Sequence, residues 1–173
     1  SPADDGAADL AQWDNQFVHR NRAAVIAASA QARDMNAVRE AVEFSYGDAF
    51  SRVIYTESHD EVANGSARVP QEVNDDDPTG YYAQKRSTLG AALVLTSPGL
   101  PMIFQGQEFL EGEWFRDTVP LHWDQGAQFK GIFRMYRDLI GLRRNEEGHT
   151  KGLTGQNLDT LHQHPAKHGN VFH

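Results

Sequence analysis

"VIYTESHDEVANG", residues 53–65, carries a β-branched and aromatic run straight into a cluster of acid and imidazole. With Arg52 in front, "RVIYT" reads as a short buried strand, because β-branched and aromatic side chains suit a pleated, enclosed surface. Strands seldom end in a group such as Glu57, Ser58, His59, Asp60 and Glu61, four of them ionisable. Where strands alternate with helices, chemistry sits at the C-terminal ends of the strands. The meaning of this cluster therefore depends on its neighbours in the chain.

Upstream, "LAQW" (residues 10–13) is a short apolar segment read as a strand end. From Asp14 a helix is predicted through "FVHRNRAAVIAASAQ", with Phe17, Val18, Ala24, Val25 and Ala28 near one face. Asp34 is the expected N-cap of a second helix through "MNAVREAVEF", with Met35, Val38 and Val42 at helical spacing. Downstream, residues 64–80 form a long acidic loop with Gly and Pro, of the kind that is usually functional or mobile. "YYAQKRSTLGAALVLTS" is a predicted helix with Leu89, Ala92, Leu93 and Thr96 inward, stopped by Pro98 and Gly99. "LPMIFQ" follows as a second buried strand and ends in "GQEF". "FKGIFRMYRDLIGLRRN" is a further amphipathic helix, with Ile132, Phe133, Tyr136, Leu139, Ile140 and Arg143 turning about its axis. The texture changes near residues 146–152, which marks a domain boundary; "LDTLHQH" beyond it reads as a strand. The order strand, helices, strand, helix, strand, helix predicts an α/β fold with βα units on a parallel sheet.

Composition narrows the function classes. The chain has 173 residues and a net charge of −8, with its 16 basic residues scattered, so no nucleic-acid partner is expected. It has no cysteine, which removes disulfides, zinc-thiolate sites and thiol catalysis and fits a reducing, cytoplasmic location. No apolar run approaches the roughly 18 residues of a membrane span, so no membrane partner is expected. The start, "SPADDGAADL", has no initiator Met and no signal-peptide layout; residues 1–9 are read as a cut or flexible end.

Taken as bare residues, the cluster offers limited chemistry. Glu57 and Asp60 could supply the two carboxylates of glycoside hydrolysis. Three residues apart in one turn, they rarely reach the opposed spacing of about 5–5.5 Å across a sugar that a retaining mechanism needs. The blander reading is slightly favoured: Glu57 caps or pairs locally, and Asp60 is a turn residue. A Ser58–His59–Asp60 triad carries little weight, since neighbours in sequence point in different directions. "HQHPAKH" (His162, His164, His168) is rich enough in imidazole for a metal but is better read as an exposed polar tail. No metal and no cofactor is expected. Trp114 and Phe115 could stack on a sugar face, though loop aromatics more often serve packing.

Two motifs together carry a family resemblance. "VIYTESHDEVANG" resembles the segment closing the seventh strand of the α-amylase superfamily, the (β/α)8 glycoside hydrolases and transglycosylases of family thirteen. "SPGLPMIFQGQEF" (residues 97–109) resembles the eighth strand of the same family, and "GQEF" with the following "PLHWD" is most like the 1,4-α-glucan branching enzymes. The resemblance covers about residues 10–145. It implies a partial (β/α)8 TIM barrel, about strands 6 to 8 with their helices, over residues 10–147. Residues 148–173 would then begin a C-terminal β-domain, truncated. It implies that Asp60 is the catalytic carboxylate that stabilises the oxocarbenium-like transition state. It also implies that His59 binds the sugar hydroxyls and that Glu57 stands beside them as a substrate-site residue with an orienting or structural part. Gln107 and Glu108 match an architectural motif at the strand end.

The family's nucleophile, an Asp after the fourth strand, and its general acid, a Glu after the fifth, have no counterpart here. The implied activity is that of an α-glucan-acting, branching-enzyme-like protein with a retaining mechanism, and the chain alone is expected to be inactive. Its expected partners are an α-1,4-glucan, and either the missing N-terminal half of the barrel or a second copy. An alternative from another class is a non-catalytic α-glucan-binding or assembly module.

Overall fold

A computed structural model of the chain describes residues 11–63, 65–150, 153, 155, 163–166 and 169–172. The N-terminal stretch 1–9 and the histidines at 162 and 168 lie outside the described residues, as do most of residues 151–162. Three short strands form a parallel sheet in the order β1 (Gln12–Trp13), β2 (Arg52–Ile54), β3 (Leu100–Pro101). Gln12 lies opposite Arg52, and Val53 opposite Leu100. The expected alternation is therefore present: helices α1 (Asn15–Ile26) and α2 (Met35–Glu43) join the first two strands. Helices α3 (Val69–Val73) and α4 (Tyr81–Thr96) join the second pair, and α5 (Gln125–Gln128) and α6 (Lys130–Arg143) follow the third. Beyond them, β4 (Gln163–Ala166) and β5 (Gly169–Phe172) pair as an antiparallel hairpin. Among the described residues no helix is long and apolar enough to cross a membrane.

Local chemistry explains most of the boundaries. Asp14 accepts a hydrogen bond from the Phe17 amide at 3.0 Å, and Asp34 one from the Ala37 amide at 3.0 Å, so both α1 and α2 begin on carboxylate caps. The first helix ends at Ile26, short of the expected Gln31; a 3-10 turn capped by Ser29 takes over the last residues. The acidic loop contains α3, which the sequence reading left out. Pro70 in its first turn fits there because the missing N–H would have had no helical partner.

Two expectations need correction. Helix α4 buries Ala83, Gly90, Ala91, Val94 and Leu95, whereas Thr96 is exposed and Leu89 is 57% exposed. The run "LGAALVLT" is apolar around most of its circumference, so spacing alone does not select a face. Gly90 selects it: a Cβ there would sit 3.4 Å from both Thr56 and Val25, so this side presses on the end of β2 and on α1. The second correction is that β3 is only two residues long and Leu100 is 39% exposed, so among the described residues it is an edge strand rather than a buried one.

The core lies in two clusters. Phe17, Val42, Ile54 and Val94 join α1, α2, β2 and α4; Ala91, Leu95, Leu110, Phe129, Ile132 and Tyr136 join α4 to α6. Buried arginines tie the elements together through backbone carbonyls. Arg52 donates to Ala41 O, Val42 O and Pro98 O and to the Asp14 carboxylate at 3.2 Å, all out of solvent. Arg143, from the last turn of α6, donates to Leu95 O, Ser97 O and Gly99 O, satisfying carbonyls at and beyond the end of α4.

Candidate functional site

The C-terminal ends of the three strands converge on the residues the sequence singled out. After β2 the chain stays buried through Tyr55, Thr56, Glu57 and Ser58, then emerges abruptly: the side chain of His59 is 58% exposed and that of Asp60 is 75% exposed. His59 Nε2 lies 3.2 Å from Asp60 Oδ1. The imidazole meets the Trp13 ring edge-on at 5.8 Å, and Trp13 meets Tyr55 at 5.3 Å. Trp13, at the tip of β1 and 44% exposed, thus sets a wall beside His59 that the sequence reading did not assign. Burial pushes the Tyr55 hydroxyl up to about 12, with Glu61 and Asp60 adding to the shift. That phenol stays neutral and acts as a hydrogen-bond donor, 3.5 Å from Asn15 Oδ1.

Glu57 is brought beneath this surface, not onto it. Its Oε1 accepts the Val69 amide at 2.7 Å and its Oε2 lies 3.2 Å from Arg68 Nη1, with both side chains enclosed. Burial raises the Glu57 carboxyl above its ordinary range, against the pull of Arg68, the Val69 amide and Arg22. Arg68 also donates to Gln105 O and Glu113 O and lies over the Phe104 ring at 5.0 Å. Arg22 reaches from α1 to Thr56 O and Ala67 O and pairs with Glu72 at 3.0 Å. Together these groups fasten the loop from Glu57 to α3. Ser58 is buried, and its hydroxyl faces the Glu61 amide at 3.4 Å rather than an imidazole.

The "GQEF" turn is tied to the same place. Gln107 accepts from the Phe104 amide at 2.8 Å and donates to the Thr56 hydroxyl at 2.9 Å, joining the ends of β3 and β2. Glu108 accepts from the Gly106 amide. Gly106 has φ +93°, a left-handed conformation that favours glycine, and a Cβ there would fall 2.6 Å from that of Glu111. Beyond it the loop returns to the cluster: the Phe115 amide donates to Val62 O, and Ala63 and Phe115 form a parallel bridge.

Nothing in the sequence marked Arg22 or Arg68 as part of the site, because charged side chains are read as surface by default. Among the described residues no group of His, Asp and Glu could hold a metal ion. The strand ends therefore present one exposed carboxylate, one adjacent imidazole and an aromatic wall over a polar, fully tied foundation. Such a surface can bind hydroxyls and stabilise developing positive charge.

No protein-family model matches the chain. It is 32% identical over 91 residues to the 1,4-alpha-glucan branching enzyme of Paramagnetospirillum magneticum, which covers 51% of this chain and 12% of that one. It is 31% identical over 113 residues to the branching enzyme of a Synechococcus species, covering 64% of this chain and 14% of the relative. A crystal structure from Salmonella typhimurium, provisionally described as an alpha amylase, matches with a TM-score of 0.60 at 17% identity, over 92% of this chain and 37% of that one. The likeness in three dimensions concerns the fold. The chain thus spans about an eighth of the branching enzymes it resembles. The sequence comparisons bear out the resemblance to the branching enzymes, and the structural one bears out an amylase-like fold.

Proposed function

We propose that this chain, a relative of the 1,4-α-glucan branching enzymes of the α-amylase superfamily, is the C-terminal part of a (β/α)8 barrel that acts on α-1,4-glucan. In this reading β1, β2 and β3 are about strands 6 to 8 of the barrel, residues 10–147 belong to it, and the β4–β5 hairpin begins a C-terminal β-domain. The parallel order β1-β2-β3 with a helical crossover between neighbours supports it. The carrying observation is the His59–Asp60 pair, exposed at the end of the central strand beside Trp13.

Asp60 is assigned the carboxylate that stabilises the oxocarbenium-like transition state. His59, beside it, binds the hydroxyls of the sugar being cleaved through bonds that strengthen as the ring flattens. Glu57 is assigned an orienting part: it holds Arg68 and the Val69 amide below the turn, and so fixes where the two exposed groups point. The nucleophile and the general acid of a retaining mechanism would come from another segment, so the chain by itself carries one carboxylate of three and does not turn glucan over. Among the described residues the outer edges of β1 and β3 are unpaired, with Trp13 and Leu100 partly exposed there, which fits a partner that is either the rest of the barrel or a second copy. The cysteine-free composition fits a cytoplasmic place for such an enzyme.

The test is binding and turnover of amylose by the chain alone and after addition of the upstream half of a branching-type barrel. The expected result is binding without product for the chain alone, and product on complementation that Asp60→Asn abolishes. Binding with no product under any complementation would move the assignment to a non-catalytic glucan-binding module. Product unaffected by Asp60→Asn would remove the role given to Asp60.

A further inference from the structure

The loop after β3 begins and ends on one buried carboxylate. Glu111 Oε1 accepts from the amides of Gly112 and Glu113 at 3.1 and 3.2 Å and lies 3.0 Å from His122 Nδ1. Its Oε2 accepts the His122 amide at 2.9 Å and lies 3.2 Å from the same ring nitrogen. Glu111 is almost wholly enclosed, whereas the His122 ring is partly open to solvent. The closed loop reaches the proposed sugar site at its middle, through the Phe115 amide on Val62 O and the Ala63–Phe115 bridge, a few residues past Asp60. Arg68, which holds Glu57, also donates to Glu113 O. A displacement of this loop is therefore felt by the segment that follows Asp60 and by the foundation under it.

We propose that Glu111 and His122 form a protonation-dependent latch, with Glu111 as a positioning residue that holds the His59–Asp60 turn in place through the loop between them. The functional half of this proposal rests on the sugar-site reading; the latch itself does not. The groups facing it are few. Glu113 approaches His122 Nε2 at 3.9 Å and is itself paired with Arg116 at 3.1 Å; Asp124 adds negative charge near the ring. On the other side, Arg68 lines one cleft with Glu111 and His122, and Glu57 and Tyr136 line another with Glu111.

The hydrogen bond and charge of Glu111 raise the His122 imidazolium above its ordinary range. Burial alone would raise Glu111, but the backbone and ring donors of His122 outweigh it and hold that carboxyl below its usual range. A raised histidine contributes its full share below its unfolded pKa and loses it as pH climbs through the folded one. A depressed carboxyl contributes above its unfolded pKa and loses its share as pH falls through the folded one. The latch is thus charged on both sides in mildly acid to neutral solution. It weakens at higher pH to a neutral imidazole–carboxylate hydrogen bond.

Amide hydrogen exchange of the full 173-residue chain, corrected for intrinsic rates, reads the latch directly at Gly112, Glu113, Phe115 and His122 from about pH 5 to about pH 9. The expected loss of protection through the His122 titration is about two- to fivefold, the difference between a charge-assisted and a neutral hydrogen bond at a partly open site. In His122→Asn, whose side chain does not titrate, protection should be lower and flat with pH; in Glu111→Gln, which loses the charge and replaces one of the two acceptor oxygens with an NH2 donor, protection should be lower across the range. A wild-type profile that either variant reproduces overturns the latch. Amylose binding over the same range reads the coupling: affinity that follows the latch supports positioning, and affinity independent of it overturns positioning. If no amylose binds at any pH while the amides titrate as stated, the sugar-site reading falls and the latch stands.

Discussion

Replacing Arg52 with lysine keeps a positive charge beside Asp14 but removes the planar fork. The guanidinium makes five hydrogen bonds, to Pro98 O twice, Ala41 O, Val42 O and Asp14 Oδ2, all in the interior. An ammonium has three donors on one atom and cannot span acceptors from α2, the cap of α1 and the β3 approach together. At least two of the five bonds are lost. Bonds with a charged partner are worth about 1.5–3 kcal/mol each, so Arg52→Lys is expected to cost about 3 kcal/mol at the low end. That is about a fifth to three fifths of an ordinary domain stability of about 5–15 kcal/mol. For a chain of this size it corresponds to a fall in Tm of about 6–12 °C. In urea, with m of about 1–3 kcal/mol/M, the midpoint should drop by about 1–3 M with m unchanged. Tryptophan emission follows the transition. The double-mutant cycle with Asp14→Asn, which retains the helix cap, isolates the charge pair. A cost for Arg52→Lys within about 0.5 kcal/mol of zero would refute the idea that carbonyl capture by Arg52 holds the sheet to α2.

Two further outcomes check separate parts of the structure. Leu95→Ala should cost about 2–5 kcal/mol in a thermal melt, as a buried leucine truncation does, while Leu89→Glu on the open side of α4 stays within about 0.5 kcal/mol; the reverse order would restore the face expected from the sequence. Because burial raises Glu57, its share of stability is greatest below the unfolded carboxylate pKa and is lost as pH rises through the folded one. Glu57→Gln should therefore flatten the stability–pH curve in that window, and an unchanged slope would argue against a raised carboxyl.

The order of strands and helices was legible because its signals are local. Asp14 and Asp34 announce helix starts by their own side-chain chemistry, and "RVIYT" announces a strand by shape. The phase of α4 was not legible, since a helix apolar on several sides is oriented by what it meets, here Thr56 and Val25 against Gly90. Pro70 was a usable sign of α3 that a loop reading of residues 64–80 passed over. At the strand ends, His59 and Asp60 stood out because ionisable residues after a β-branched run are unusual. The groups that hold them did not. Arg22 and Arg68 act on residues far away in the chain, and a sequence gives no sign that a particular arginine will be buried among carbonyls.

The register of β2 has a consequence for how the chain reaches this structure. Val53 must find Trp13 on one side and Leu100 on the other, so each pairing closes a loop of about 40–47 residues at an entropic cost that depends only weakly on length. At about 5–20 residues per second, synthesis leaves about 2–9 s between the appearance of Val53 and that of Leu100. During that interval α1 and α2 can pack and Arg52 can take Ala41 O and Val42 O, but its third carbonyl, on Pro98, does not yet exist. The central strand is thus half-assembled for seconds with one edge open. The rate at which residues 54–98 are translated should set how much of the chain is lost to wrong pairing.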